Sequence, residues 1–204
     1  MMVKGGADQV PPFIALTGGI GAGKSTALAA LERLGAAVIS SDAMVHALYD
    51  LAEVRDAVVA KFGPQVAPGG VVDRGQLATV AFATTESRAW LEALIWPLVR
   101  DGISAWRKGT EAMDPRPRAL VVEVPLLFEG GQESAYDATI AVTADEHVRR
   151  ARASARGHRA VDEREARQLS QADKAARATY VVSNDGDIDE LQRELSSVLA
   201  MLGV

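Results

Sequence analysis

Apolar residues follow two rhythms along this chain. Short, nearly unbroken apolar runs occur at Phe13–Leu16 (FIAL), Ala36–Ile39 (AAVI), Ala119–Val124 (ALVVEV), Ala138–Val142 (ATIAV) and Thr179–Val182 (TYVV). Runs of this kind suit strands buried on both faces of a parallel sheet. Between them, apolar positions return every third or fourth residue, as on the buried face of a helix. Leu28, Leu31 and Leu34 show that spacing after the first run, with Gly35 as a stop. Further helices are predicted over Ala43–Tyr49, Leu51–Phe62, Glu86–Lys108 (bent or broken at Pro97), from Asp145 through HVRRARASARG, over Glu163–Gln171 and over Ile188–Leu202. Gly63–Val72 (GPQVAPGGVV) reads as turns, and Asp73 is placed to cap a helix over Arg74–Ala83. Strands alternating with helices predict a doubly wound, five-stranded parallel sheet. The alternation lapses over residues 50–108, which carry only helical patterning and read as an inserted helical subdomain. Residues 1–12 (MMVKGGADQVPP) read as a short flexible tail, leaving 13–204 as a single domain.

Composition narrows the partners. The chain has 204 residues, 48% of them hydrophobic, enough for one core of ordinary size. A net charge of −5 argues against general nucleic-acid binding driven by phosphate neutralisation, so any basic site must be local. The chain has no cysteine, which excludes disulfides and thiol chemistry and fits a reducing cytoplasm. No apolar run approaches the roughly 18 residues of a membrane span, and the N-terminus lacks the apolar region of a signal peptide. The expectation is a cytoplasmic protein, a monomer or weak homo-oligomer, without nucleic-acid or membrane partners.

The chemistry concentrates behind the first strand. Gly18-Gly19-Ile20-Gly21-Ala22-Gly23-Lys24-Ser25-Thr26 is a complete G-x-x-x-x-G-K-[ST] phosphate loop, with a strand before it and a helix after it. Glycines let successive backbone N–H groups point inward around a phosphate, and the helix N-terminus aims its positive end at the same anion. Gly19, Gly21, Ala22, Gly23, Lys24, Ser25 and Thr26 are the expected triphosphate-binding residues. Lys24 brings a charge for the β- and γ-phosphates, and the Ser25 hydroxyl is placed to ligate Mg²⁺. A GTPase is disfavoured because no N-K-x-D occurs, and an ATPase motor or transporter because no apolar strand ends in Asp-Glu. A small kinase remains. Asp42, just past the second strand, suits the group that orients or deprotonates an acceptor hydroxyl; capping of the following helix is its other reading. Arg149, Arg150, Arg152, Arg156 and Arg159 suit a lid over about 145–170 that spreads phosphate charge onto guanidinium groups, with Arg152 and Arg156 on one face. A solvated basic face is the alternative. His46, His147 and His158 show no metal-ligand spacing. Trp90, Trp96 and Trp106 read first as core packing and second, for one of them, as an acceptor-stacking ring.

Taken together, the motifs resemble the dephospho-coenzyme A kinase family. The resemblance runs from about Ile14 to Leu195. It rests on Thr17–Thr26; on Asp42 as the second member of an acidic pair; on Asp73-Arg74 with Leu77; on Leu91-Glu92, Leu94 and Pro97; on Pro125–Glu129 (PLLFE); on Arg152 and Arg156; and on Gln171, Ala178, Tyr180, Val181, Val182, Asn184 and Gly186. It implies a P-loop kinase fold and transfer of the ATP γ-phosphoryl group to the ribose 3′-hydroxyl of dephospho-coenzyme A. It also implies Asp42 as the base or orienter and Lys24, Arg152 and Arg156 as further catalytic residues. Arg74, Leu77, Pro125, Leu126, Leu127 and Glu129 would attend the acceptor, and Asn184 and Gly186 would lie by the adenine of ATP. The chain departs from the pattern at Trp96, Glu123 and Ser40, where the family usually has His, Asp and Asp. A nucleoside or nucleoside-monophosphate kinase of the same architecture, and a nucleotide sensor without turnover, are the rival readings.

Overall fold

The computed structural model describes residues 10–155 and 168–204, which divide into two compact units. One comprises the chain up to Ser40 together with Arg107–Val204; the other is Ser41–Trp106.

The first unit is built on a five-stranded, wholly parallel sheet: β1 (Phe13–Gly18), β2 (Ala37–Ser40), β3 (Leu120–Glu123), β4 (Ala138–Thr143) and β5 (Tyr180–Ser183). The spatial order is β2-β3-β1-β4-β5. Connections from β1 therefore run to one side of the sheet and later ones to the other, so β1 is the switch point outside whose carboxyl end ligands bind in such sheets. In register, Leu16 stands between Glu123 and Ile140, which aligns the carboxyl ends of the three central strands.

Alternate residues of β1 explain both layers. Ile14 and Leu16 join Val121, Ile140 and Val142 in a core closed by α1 (Lys24–Arg33) and the C-terminal helix Ile188–Met201, through Leu31, Leu191, Leu195 and Leu199. On the opposite face, the guanidinium of Arg107 sits 4.4 Å from the centroid of the Phe13 ring, which stacks on Tyr136 at 4.7 Å. Burial of the Tyr136 phenol pushes its pKa up to about 12.

The second unit contains α2 (Ser41–Leu48), α3 (Ala52–Phe62), α4 (Arg74–Ala81) and most of α5 (Thr85–Glu111). Its core gathers Val54, Val58, Val66, Leu77, Ala81, Leu91 and Ile95. Asp73 caps α4 as its sequence position predicts: Oδ1 accepts the N–H groups of Gly75 at 2.9 Å and Gln76 at 3.0 Å. Those bonds, that from Gln76 foremost, hold its carboxyl below the usual aspartate range.

Three sequence expectations change here. Pro97 does not break the helix, which runs on through Glu111. Leu91 and Ile95 before it and Leu98 and Val99 after it belong to one core, and that packing outweighs the lost backbone bond. Of the helix expected over Glu163–Gln171, only Gln171 is helical among the described residues 168–171. Residues 163–167 lie outside the described residues, and the next described helix is α7, Gln171–Arg177, following α6 at Glu146–Ala155; the C-terminal helix is thus α8. Ser170 sets the start of α7, because its hydroxyl accepts the Asp173 N–H at 3.1 Å and donates to the Asp173 carboxylate at 2.7 Å. Finally, the three tryptophans do not share one fate. Trp90 packs edge-on against Phe62 at 5.4 Å, but Trp96 is 47% exposed and fills no core.

Candidate active site

The phosphate loop follows β1 at the switch point. It ends at Gly23, whose φ of 93° is the left-handed conformation from which α1 starts at Lys24. No other residue type fits, because a Cβ on Gly23 would run into the side-chain amide of Asn184. Within the loop, Ala22 N–H donates to Gly19 O at 3.3 Å. The Lys24 ammonium donates to the carbonyls of Gly18 at 3.0 Å and Gly19 at 3.2 Å, poised on the rim of its own loop. Ser25 is exposed and Thr26 half-buried on the first turn of α1. Among the described residues no group of three or more His, Cys, Asp or Glu could hold a metal ion. An exposed loop hydroxyl with few protein ligands suits Mg²⁺, which is held largely by nucleotide phosphates and water.

The loop is braced from distant parts of the chain. Asn184, just past β5, is 5% exposed; its Nδ2 donates to Ala22 O at 2.8 Å and its backbone N–H to Thr143 O at 2.8 Å. Arg152 Nη1 donates to Asn184 O at 3.0 Å, and Arg149 Nε to Ile20 O at 2.9 Å. These two arginines are three apart on α6, so one helix face meets the loop and its brace. Arg150 points elsewhere and pairs with Glu146 on its own helix. Asp185 joins the ends of β4 and β5. Its carboxylate accepts the Asp145 N–H and the Ser183 hydroxyl, and these bonds, in that order, hold its pKa below the usual range. Gly186 is exposed beside it. The Asn184 amide, expected by the adenine of ATP, bonds the carbonyl of Ala22 in the phosphate loop. Arg149 was one of the five arginines singled out between residues 149 and 159 and becomes a loop contact only through the tertiary structure. Arg156 lies outside the described residues.

Asn184→Asp should loosen the phosphate loop. Only the NH₂ end of the amide can face the Ala22 carbonyl, and a carboxylate there would oppose it. Loss of such a buried bond costs about 1–3 kcal/mol, so ATP and inorganic triphosphate should both bind roughly tenfold or more weakly by calorimetry. An unchanged triphosphate affinity with altered ATP-over-GTP preference would instead make Asn184 a base reader.

Beyond β3, Pro125–Glu129 lies against the start of the loop. Val124 N–H donates to Leu16 O at 2.9 Å and the Thr17 hydroxyl to Pro125 O at 3.4 Å. Leu127 and Phe128 are buried while Leu126 is 47% exposed. Leu127, expected to touch an acceptor, therefore anchors the segment, and Leu126 is the side chain it presents. Beside the loop, a cavity of about 260 Å³ is lined by Gly19, Ile20, Arg149 and the stretch 168–171. Gln171 fixes that stretch to the end of β4, its amide bonding both the N–H and the carbonyl of Ala144 at 2.9 Å. A larger cavity of about 650 Å³, around residues 111–118 and the C-terminus, contains none of the loop residues.

Three expected site residues belong to the second unit. Asp42 is exposed inside the first turn of α2, one residue past its first. Arg74 is exposed, its Nη1 2.7 Å from both ring nitrogens of His46. Leu77 is a core residue and supports the helix that carries Arg74. Two of the three departures from the family pattern prove to be neighbours, because Ser40 and Glu123 pair in register at the ends of β2 and β3.

A family model described as dephospho-CoA kinase matches residues 12–190. A dephospho-CoA kinase of Symbiobacterium thermophilum is 38% identical over 190 residues, spanning 91% of this chain and 79% of that protein. One from Deinococcus radiodurans is 36% identical, spanning 95% of this chain and 94% of that one. A crystal structure from Thermus thermophilus superposes with a TM-score of 0.78 at 34% identity, covering 95% of this chain and 99% of the other. A shikimate kinase from Bacteroides thetaiotaomicron, at 16% identity and a TM-score of 0.50, shares the fold.

Proposed function

The chain belongs to the dephospho-CoA kinase family, and from that premise we propose how its residues divide the work. The reaction is an ATP-dependent phosphoryl transfer of coenzyme A biosynthesis, from ATP to the ribose 3′-hydroxyl of dephospho-CoA, giving CoA and ADP. Such transfers pass through a loose transition state, so the protein contributes mainly position and charge.

The observation that carries the assignment of roles is the braced phosphate loop at the switch point of the sheet. Backbone N–H groups of Gly19–Thr26 and the positive end of α1 receive the triphosphate. The Lys24 ammonium leaves the carbonyls of Gly18 and Gly19 for the β- and γ-phosphates. Arg152, with Arg149 beside the loop, and Arg156 from the lid spread the charge of the transferring group. The Ser25 hydroxyl, with the nucleotide phosphates and water, would hold Mg²⁺, which would supply charge neutralisation to the triphosphate. Asp42 orients the 3′-hydroxyl and takes its proton as the new O–P bond forms. Arg74, with its anion-binding guanidinium, and the Pro125–Glu129 segment, with Leu126 at its crest, attend the acceptor. Asn184 holds the loop from below, and the exposed Gly186 next to it edges the nucleotide. On this reading residues 13–204 act as one kinase domain, with the helical insertion serving the acceptor.

ADP release, coupled to a dehydrogenase readout in the presence of Mg²⁺, tests the assignment. Dephospho-CoA should support turnover at least a hundredfold faster than any nucleoside or nucleoside monophosphate. A preference for a monophosphate would move the chain to the rival kinase class, and no turnover with any acceptor would leave a nucleotide sensor. Among the described residues no helix is long and apolar enough to cross a membrane.

A further inference from the structure

A fully enclosed lysine lies under the acceptor segment. Lys174, on α7, has a side chain 0% exposed. Its Nζ donates to Pro125 O at 2.6 Å and lies 3.0 Å from Glu129 Oε1. Burial pulls the ammonium pKa down from the ordinary lysine value, against the opposing bond and charge of Glu129. Glu129, its side chain 16% exposed, is itself fixed from a second side, because Oε1 also accepts the Leu169 N–H at 2.8 Å. One turn further on, the Arg177 guanidinium sits 4.8 Å from the Phe128 ring centroid and pairs with Glu133. Positions 174 and 177 share a helix face, so one face of α7 meets the whole Pro125–Glu129 turn.

Stability alone does not account for this charge. Removing an ammonium from water is costly, and an apolar residue of similar volume at a buried ionic site is often neutral or stabilising. What the ammonium supplies is directional: it binds the carbonyl that opens the segment and the carboxylate that closes it. With both ends held and Leu127 and Phe128 buried, Leu126 is left as the crest. We propose that Lys174 is a positioning residue for phosphoryl transfer, acting through Pro125 and Glu129 to set the shape of the surface that receives the acceptor. The inference rests on the reading of Pro125–Glu129 as that surface.

The test separates position from packing by steady-state kinetics on the full chain. Lys174→Met keeps the length and loses the donor and the charge. We expect its KM for dephospho-CoA to rise about tenfold or more, the factor carried by one charge-assisted bond, with KM for ATP changed less than about threefold. Lys174→Gln, which can still donate to Pro125 O, should recover part of the acceptor KM. Should Lys174→Met fail to fold, Glu129→Gln reads the same linkage and should itself raise the acceptor KM. The proposal is overturned if the acceptor KM of the soluble variants equals that of the parent, or if KM for ATP rises by the same factor as that for the acceptor. Failure of the underlying assignment looks different: the parent enzyme would then release no ADP with dephospho-CoA at all.

Discussion

Asp42→Asn should lower kcat by about two to four orders of magnitude, the usual contribution of a positioned general base, while ATP affinity stays within about twofold. The substitution preserves shape and removes only charge and basicity. Asp42 is an exposed side chain on the first turn of α2, inside the helix rather than at its cap. The capping role that competed for this residue in the sequence therefore has little structural support, and the variant should fold with an unchanged Tm. Rapid-quench kinetics with saturating ATP would measure the effect on the chemical step. A rate near that of the parent would remove Asp42 from the mechanism and shift attention to Glu123, which stands at the end of β3 beside Ser40. Ser40 stands where the resemblance expects the first acid of that pair, so on the proposed reading the acidic role falls to Asp42 alone.

The second large effect is expected at Lys24. Lys24→Ala should weaken ATP binding about tenfold to a hundredfold, the worth of a charge-assisted bond to phosphate. It should also lower kcat a further ~10²–10³-fold, because transferring charge is lost as well. The ammonium is held by the Gly18 and Gly19 carbonyls at 3.0 and 3.2 Å. These contacts hold it on the rim of its own loop. Calorimetry with ATP reads the first effect and single-turnover rates at saturating ATP read the second. An unaltered ATP affinity would contradict the phosphate-loop assignment outright. The pairing with Asp42→Asn is informative: one variant should lose binding and rate together, the other rate alone.

What could be read without the fold was what neighbours in sequence encode. The phosphate loop is contiguous, with its strand before it and its helix after it, so residues 13–34 specify its backbone by local preference. The five apolar runs marked the five strands, and Asp73 announced its own helix, because a cap reaches only two or three residues ahead. The resemblance carried by Thr17–Thr26 and Pro125–Glu129 identified the family on the same local footing.

The rest depended on which strands lie side by side. Asn184 meets Ala22 across 162 residues and Arg149 meets Ile20 across 129, and neither pairing has a local signal. Both follow from the order β2-β3-β1-β4-β5, which sets the ends of β4 and β5 beside the loop. That order also decided which face of the basic helix matters: Arg149 and Arg152 turn to the loop while Arg150 pairs along its own helix. A lone Lys174 in a polar stretch carried no mark of burial, because burial is a property of what packs around it. Pro97 showed the same limit in reverse: its local tendency to end a helix yielded to a core that holds both sides of it. Local sequence thus determined the elements and the phosphate cradle. Only the tertiary structure decided which side chains brace that cradle, since their energies come from partners brought together by the sheet.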